Sequence, residues 1–186
     1  MKASPVFRSE IRELEARFSD NKQRFDPSII SGCVRCRFGR VQVLVCRPFS
    51  RKMRPFPTTF WLVCPYLVRR AGTLVSQGGV RELEEFMTSR GMLHDWRDYN
   101  RLHQRVRLRL MDRHTRLFMG RFCANKYRGV MGSGIGGMRY GTGITVKCLH
   151  LQTAAMIGLG SHPGGEWLRG RGLCRECECD WTLCAK

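Results

Sequence analysis

The chain has 186 residues, of which 42% are apolar, and its 33 lysines and arginines against 15 aspartates and glutamates give a formal net charge of +18. That length and apolar content predict one folded domain with its own core, and they exclude a wholly disordered chain. The charge favours a polyanionic partner such as RNA, DNA, the ribosome surface, an acidic protein or an anionic membrane. The alternative is a basic protein whose charge has no role in binding a polyanion.

Targeting signals are not evident in the sequence. Met1–Ser9 contains no apolar stretch of the kind found in secretory signals, and the longest apolar run, Phe60–Val68, is interrupted by Pro65 and is too short to cross a bilayer. We therefore expect a cytoplasmic protein with no membrane span. In a reducing compartment, the ten cysteines are expected to be metal ligands or redox thiols, whereas five disulfides would be the alternative for a secreted chain.

The first predicted element is a helix capped by Ser9, with Glu10 and Glu13 in its first turn, where the helix dipole favours acidic side chains. Its apolar face is expected to contact the core, and the pattern fades near Ser19. We divide the chain into an N-terminal helix (residues 1–28), a main domain (29–170) and a cysteine-rich C-terminal tail (171–186).

Two strands and three candidate ligands follow. Cys33 and Cys36 form a Cys-x-x-Cys turn that resembles a metal knuckle, although two ordinary thiols beside a strand would give the same pattern. Residues 40–46 and 58–63 are rich in β-branched and aromatic residues and predict strands. The second strand ends at Cys64, because the following proline cannot continue a ladder.

A helix is predicted from Val80 to about Arg90, and a longer one from about Asp95 to Phe118. Five arginines recur every four residues on the second helix and would form a slowly winding ribbon of positive charge suited to phosphate groups. They are Arg97, Arg101, Arg105, Arg109 and Arg113. The alternative is an ordinary solvated helix face.

Seven glycines fall within residues 129–143, so the backbone there must bend sharply or approach another group closely. The segment fits neither a Walker loop nor a dinucleotide fingerprint. It could cradle an anion through its N–H groups, or it could form a mobile loop over a metal site through Gly134, Gly136 and Gly137.

A short strand at residues 144–146 is predicted to lead into Cys148 and His150, and an apolar helix follows to about Leu159. The dipole of that helix would stabilise a Cys148 thiolate. We expect Cys36, Cys64 and Cys148 to ligate a metal, with Cys33 or His150 as the fourth ligand. The alternative for His150 is a structural role.

The C-terminal tail holds four cysteines within eleven residues. Their spacing suits a second small zinc or cluster site, although a terminal tail could also leave the thiols exposed. They are Cys174, Cys177, Cys179 and Cys184.

Residues 57–65, the glycine pair before Val146–His150 and the small-residue helix ending in a Pro-Gly turn resemble the bacterial "domain of unknown function 501" family over about residues 30–168. The resemblance implies a shared fold, but it does not imply any activity. Cys36, Cys64, Cys148 and His150 match the cysteine and histidine positions of the family, and some members carry histidine in place of Cys64. The chain departs from the pattern at two positions. Gln152 stands where many members carry a second histidine, and His162-Pro163 stands where Asn-Pro is usual.

Together these patterns predict an α+β fold. A small antiparallel sheet from residues 40–46, 58–63 and 144–146 would pack against four to five helices, with a metal or cluster site at strand and helix ends. The first functional hypothesis is a cysteine-ligated zinc protein that binds RNA or another polyanion. The second is an enzyme that uses an open iron–sulfur cluster, or Cys148 as a nucleophile activated by His150. The third is a redox protein that uses the tail cysteines.

Overall fold

A computed structural model of the chain describes residues 3–20 and 25–174. In those ranges it has eight helices and one three-stranded antiparallel sheet, so the predicted α+β class is confirmed. The elements are α1 (Arg8–Asp20), β1 (Ile30–Arg35), β2 (Val41–Cys46), β3 (Phe60–Leu62), α2 (Pro65–Ser76), α3 (Gly79–Ser89), α4 (Leu93–Leu110), α5 (Arg113–Phe122), α6 (Ala124–Gly132), α7 (Leu149–Leu159) and α8 (Gly165–Gly170).

The sheet separates two apolar cores. The strands lie in the order β1-β2-β3, and successive side chains of a strand point to opposite faces. One face carries Val43 and Val45, which pack into the main core with the helices that follow the sheet. The other face carries Cys33 and Leu44, which pack against α1 in a smaller core. All four of these side chains are fully buried.

The central helix α7 is apolar nearly all round, which is expected of a helix enclosed by other elements. It packs on β3 and on α2, and Ala154 and Ala155 bring the backbones together because they have short side chains. Gly158 lies against Phe60, and a β-carbon at position 158 would fall 2.2 Å from Cδ1 of that ring. The closest contact between α7 and the sheet therefore requires glycine.

Two predicted elements are wrong. Residues 144–146 do not form the third strand: the N–H of Val146 donates to the Glu84 carboxylate over 2.6 Å instead of to a strand ladder, and β1 supplies the third strand. The predicted helix over residues 95–118 is broken at Met111. The Asp112 carboxylate caps a new helix there by accepting a hydrogen bond from the Thr115 N–H over 2.7 Å.

Several other boundaries agree with the sequence patterns. The helices predicted from Ser9, from Val80 and after Cys148 correspond to α1, α3 and α7. Helices α2 and α6 were not predicted, and α2 begins at Pro65, immediately after Cys64. Within the described part of the chain, no helix combines the length and the apolar character needed to span a membrane.

Candidate functional site

Arg107 on α4 is fully buried and anchors the segment that follows α6. Its guanidinium donates to the carbonyls of Val130, Ser133 and Gly134 and, over 2.9 Å, to the Ser133 hydroxyl. Burial lowers the pKa of Arg107 to about 10, so the side chain still carries its charge at neutral pH. The carbonyl dipoles offset part of the cost of burying that charge.

Asn100, about two turns before Arg107 on α4, fixes the next part of the same segment. Its Oδ1 accepts a hydrogen bond from the Ile135 N–H over 2.9 Å, while its Nδ2 donates to the Trp96 carbonyl over 2.8 Å. A β-carbon at Gly134 would fall 2.1 Å from Oδ1 of Asn100, so no larger residue fits at this position without displacing the amide.

Two more side chains of α4 hold the edges of the glycine-rich segment. Gln104 donates to the Gly132 carbonyl over 2.8 Å, and Arg97 donates to the Gly141 carbonyl through Nε, over 2.9 Å, and Nη2. Contacts from Arg97, Asn100, Gln104 and Arg107 thus tie residues 130–141 to one side of a single helix. Residues 130–141 therefore form a fixed wall beside α4, and the glycines in this wall leave its backbone accessible.

This wall, α4 and α6 border an open cavity of about 790 Å³, which we call the arginine basin. Four arginines line it, and most of the remaining lining is glycine backbone. The lining residues are Arg97, Arg101, Arg128, Gly129, Gly132, Ser133, Gly137, Arg139, Tyr140 and Gly141. The guanidinium of Arg101 pairs with Asp98 over 2.8 Å, and that of Arg128 contacts the Asn125 amide oxygen over 2.7 Å.

The parts of the basin that follow α4 in the sequence contain no acidic residue. Between Asp112 and Glu166 there is no aspartate or glutamate, whereas seven lysines and arginines fall in that interval. They are Arg113, Arg116, Arg121, Lys126, Arg128, Arg139 and Lys147. Because unlike charges are absent from the segments that follow α4, the positive potential of the basin is not neutralised from within the wall or from α6.

The structure divides the five predicted arginines. Arg97 and Arg101 line the basin, while Arg105 and Arg109 are exposed on α4 outside its lining, and Arg113 starts a different helix, α5. A single ribbon of five is therefore wrong, because the helix ends at Leu110.

Helical periodicity does not identify Arg128 and Arg139, which complete the basin from α6 and from the glycine-rich segment. In the sequence they are marked only by their closeness to glycines: Arg128 directly precedes Gly129, and Arg139 follows Gly137 by two residues. Of the three glycines proposed as a loop over a site, Gly137 lines the basin, while Gly134 and Gly136 lie beneath it, against Asn100 and Leu151.

The predicted cysteine ligands lie in different environments. Cys33 is fully buried in the smaller core, where its thiol approaches the Pro5 carbonyl at 3.6 Å and desolvation raises its pKa. Cys36 lies in the turn after β1, where its backbone bonds to Gly39 and Arg40. Cys64 packs into the main core at the start of α2. Cys33 and Cys64 thus belong to the two cores that the sheet separates.

Cys148 and His150 do share a site. Both line a cavity of about 370 Å³ whose other walls include Phe18, Trp61 and Val68. Cys148 is half-buried at the N-terminus of α7, and Nε2 of His150 lies 3.0 Å from the Val68 carbonyl. Because a carbonyl only accepts, that nitrogen carries the proton and leaves Nδ1 as the acceptor.

Over residues 3–20 and 25–174, no group of three or more His, Cys, Asp or Glu side chains could hold a metal ion. The predicted ligands Cys33, Cys36, Cys64, Cys148 and His150 are therefore not gathered into such a group. The predicted second site is not tested, because Cys177, Cys179 and Cys184 lie outside the described residues. Zinc and iron–sulfur binding remain predictions.

A cluster of buried polar side chains, which the sequence patterns do not predict, lies on α4 and α7. Five atoms in it have no hydrogen-bond partner within the described ranges: Trp96 Nε1, Tyr99 Oη, His103 Nε2, Gln152 Nε2 and Thr153 Oγ1. The Tyr99 ring contacts those of His103 and His162 edge-on, with centroids 5.0 and 4.8 Å apart. Burial lowers the pKa of both histidines to about 3, so both are neutral at physiological pH.

Comparison with known proteins gives one positive result. Residues 33–169 match the family described as "Protein of unknown function (DUF501)". No curated protein and no solved structure gives a significant match. The matched residues run from the middle of β1 into α8, and they include the arginine basin, α7 and every lining residue of the Cys148 cavity except Phe18. Because the match covers most of the 186 residues, the chain belongs to the DUF501 family.

Proposed function

We propose that this protein binds the phosphate groups of a polyanion, RNA or another, in the arginine basin. The observation that supports the proposal is the convergence of four arginines on one cavity whose remaining wall is largely glycine backbone. Guanidinium groups match phosphate oxygens in a two-pronged geometry, and glycine lets a ligand approach the backbone closely.

The size of the basin suits a ligand larger than a single inorganic anion. Its volume of about 790 Å³ falls within the range of about 300–1,000 Å³ that is usual for ligand pockets. Internal ion pairs compete weakly for its arginines. The pair between Arg101 and Asp98 is about half exposed on both sides, and exposed pairs contribute only about 0–1 kcal/mol. The basin therefore keeps most of its charge for a ligand.

The test compares two triple variants with equal loss of charge. In the basin variant, Arg101→Gln, Arg128→Gln and Arg139→Gln remove three exposed lining side chains. In the control, Arg12→Gln, Arg37→Gln and Arg40→Gln remove three exposed arginines from α1 and from the β1–β2 turn. Binding of labelled oligouridylate and of inorganic polyphosphate is then measured by fluorescence anisotropy at several salt concentrations.

We expect the basin variant to lose far more affinity than the control. If three phosphate contacts are lost, the slope of log K against log salt concentration falls by about 2 for a single strand. The control lowers only the general field and should change the affinity modestly. Equal effects of the two variants would refute the proposal and would leave net charge alone as the cause of binding.

The metal hypotheses concern other residues and have their own test. A colourless protein with stoichiometric zinc would support a zinc site, and a broad brown absorbance after anaerobic purification would support an iron–sulfur cluster. Replacement of Cys174, Cys177, Cys179 and Cys184 by serine separates the tail cysteines from Cys33, Cys36, Cys64 and Cys148, and it leaves the buried Leu173 in place. Metal that is lost from this variant belongs to the tail.

One observation favours the enzyme alternative. Cys148 and His150 line the same cavity, and Cys148 lies at a helix N-terminus, where a thiolate is stabilised. If Cys148 acts as a nucleophile, alkylation of the metal-free protein at mildly acidic pH should mark it ahead of Cys36 and Cys123, which are also half-buried. Equal labelling of the three thiols would argue against this role.

A further inference from the structure

Helix α5 exposes an apolar face that none of the described residues cover. Leu117, Phe118 and Phe122 are 62%, 41% and 67% exposed, and the two phenylalanine rings lie with centroids 5.1 Å apart. With Arg113 and Arg121 they line a shallow cavity of about 390 Å³. Exposed apolar groups of this size, gathered in one place, are typical of a binding surface.

The charges around this face restrict the partner. Helices α5 and α6 carry Arg113, Arg116, Arg121, Lys126 and Arg128 and no acidic residue. The Arg121 guanidinium lies 5.6 Å from the centroid of the Phe122 ring, so cationic and aromatic groups alternate along the helix. A complementary partner must therefore carry negative charge and present flat apolar surface at short intervals.

We propose that Phe118 and Phe122 form a base-stacking platform for single-stranded nucleic acid whose phosphates occupy the arginine basin. This inference rests on the function proposed above and narrows its ligand class. Nucleobases stack on aromatic side chains regardless of sequence, and arginines beside them contact the backbone. Helix α6 connects the two regions, since it packs on α5 and contributes Arg128 and Gly129 to the basin.

Three other occupants of the platform fit the observations less well. A duplex hides the faces of its bases in the stack, so its bases cannot lie on a phenylalanine ring. A second copy of this chain would bring like charges together, because α5 has no acidic residue. An anionic membrane would satisfy the charge but would not fill a concave basin, whereas a flexible strand carries a phosphate at every nucleotide.

The test uses the full chain with four probes: oligouridylate, the matching RNA duplex, inorganic polyphosphate and vesicles that contain phosphatidylserine. Phe118→Ala with Phe122→Ala removes the platform, Phe118→Trp with Phe122→Trp keeps aromatic faces, and Phe38→Ala removes a similarly exposed ring that lies outside the platform, in the β1–β2 turn. Because these side chains are exposed, the variants should fold normally, and melting temperatures verify this.

We expect the double alanine variant to bind oligouridylate at least about fivefold more weakly, since stacking on one ring has an effect of that size or larger. Binding of polyphosphate, which has no bases, should not change. The double tryptophan variant and Phe38→Ala should bind oligouridylate normally, and the duplex should bind more weakly than the single strand to the unsubstituted protein.

The opposing outcomes identify which proposal fails. Unchanged oligouridylate binding by the double alanine variant would overturn the platform while the basin variants still report on the basin. Equal losses for oligouridylate and polyphosphate would also overturn it, because the loss would not depend on bases. Loss of vesicle binding with oligonucleotide binding intact would assign the platform to a membrane surface. If the basin variants bind every probe as their control does, the proposed function itself fails.

Discussion

His162 donates a hydrogen bond to Gln152 over 2.9 Å, from its Nε2 to the amide oxygen, inside the main core. The direction follows from the other ring nitrogen. The N–H of Gly164 donates to Nδ1 over 2.9 Å, so Nδ1 has no proton and Nε2 must carry it. Helix α7 and the turn before α8 are thereby joined by a neutral imidazole and a carboxamide. Gln152 and His162 are also the two positions where the resemblance to the family implies a departure from its pattern.

Exchanging the imidazole and the carboxamide between positions 152 and 162 should preserve the hydrogen bond between the two side chains. The pattern that the resemblance implies would place the imidazole at position 152 and a carboxamide at 162. We expect Gln152→His and His162→Asn to lower the free energy of unfolding by about 1–3 kcal/mol each, because each leaves a buried polar group without its partner. The double variant should recover part of that loss. Urea unfolding of all four proteins measures the coupling, and strictly additive losses would show that the two side chains do not act as a pair.

Much of the fold follows from local patterns in the sequence. The apolar spacing of α1, the β-branched runs of β2 and β3 and the glycines after α7 each indicate their element. Strand β1 was missed because Gly32 and Cys33 are weak strand formers, and burial against α1 and a bridge to Ser4 decide their conformation. That contribution comes from tertiary structure and cannot be seen in a short window of sequence.

The break between α4 and α5 is marked in the sequence by Asp112, which caps α5. A substitution of Asp112 tests this role. Its carboxylate accepts hydrogen bonds from the N–H and the hydroxyl of Thr115 over 2.7 and 2.8 Å. Asp112→Ala should lower the free energy of unfolding by about 1 kcal/mol, while Asp112→Asn, which keeps the capping oxygen, should lose much less. Thermal unfolding monitored by circular dichroism compares the two. An equal loss in both would assign the effect to charge instead of capping.

The candidate site was only partly predictable. The four-residue recurrence on a helix identified Arg97 and Arg101, since periodicity reports which side chains share a helix face. Arg128 and Arg139 belong to other elements and reach the basin only because Arg107 holds the glycine-rich segment against α4. A buried arginine among exposed ones has no sequence signature, because its role depends on carbonyls that lie more than twenty residues away.

Arg107 should therefore control both stability and the shape of the basin. Arg107→Met fills the space but leaves the carbonyls of Val130, Ser133 and Gly134 without their donor. We expect the free energy of unfolding to fall by about 3 kcal/mol or more. Affinity for polyphosphate should fall as well, because the basin wall loses its anchor. Urea unfolding and anisotropy measure the two effects.

The matched control for Arg107 is two residues away. Arg105 is exposed on α4 and lies outside the basin lining, so Arg105→Met removes the same charge from the same helix. Its effect on the free energy of unfolding should stay within about 0.5 kcal/mol. If both variants unfold at the same urea concentration, the guanidinium contacts of Arg107 do not support the segment.

Gly158 tests the contact between α7 and the sheet. A β-carbon there would lie 2.2 Å from Cδ1 of Phe60, which is itself buried in β3, so neither side can move freely. We expect Gly158→Ala to lower the free energy of unfolding by about 1–3 kcal/mol, despite the better helix propensity of alanine. Gly120→Ala on the exposed side of α5 meets no atom within 4 Å and should raise it by up to about 1 kcal/mol. A stabilised Gly158→Ala protein would contradict the packing.

His103 and His162 should make the protein sensitive to mild acid. Burial lowers the pKa of each to about 3 in the folded state, whereas an unfolded histidine has a pKa of about 6.5. Between these values the unfolded chain binds more protons than the folded chain, so acid favours unfolding. The full stability contribution is present above about pH 6.5 and is lost as the pH falls towards 3, at about 1.4 kcal/mol per pH unit for each histidine.

The variant His103→Phe separates this effect from the titration of carboxylates. His103 lies edge-on to Phe60 and Tyr99, with centroids 5.6 and 5.0 Å away, and its Nε2 has no partner among the described residues, so a phenyl ring can take its place at neutral pH. Urea unfolding between about pH 7 and pH 5, above the range in which most carboxylates titrate, should show about half the loss of the unsubstituted protein. An unchanged loss would mean that His103 is already protonated, or hydrated, in the folded state.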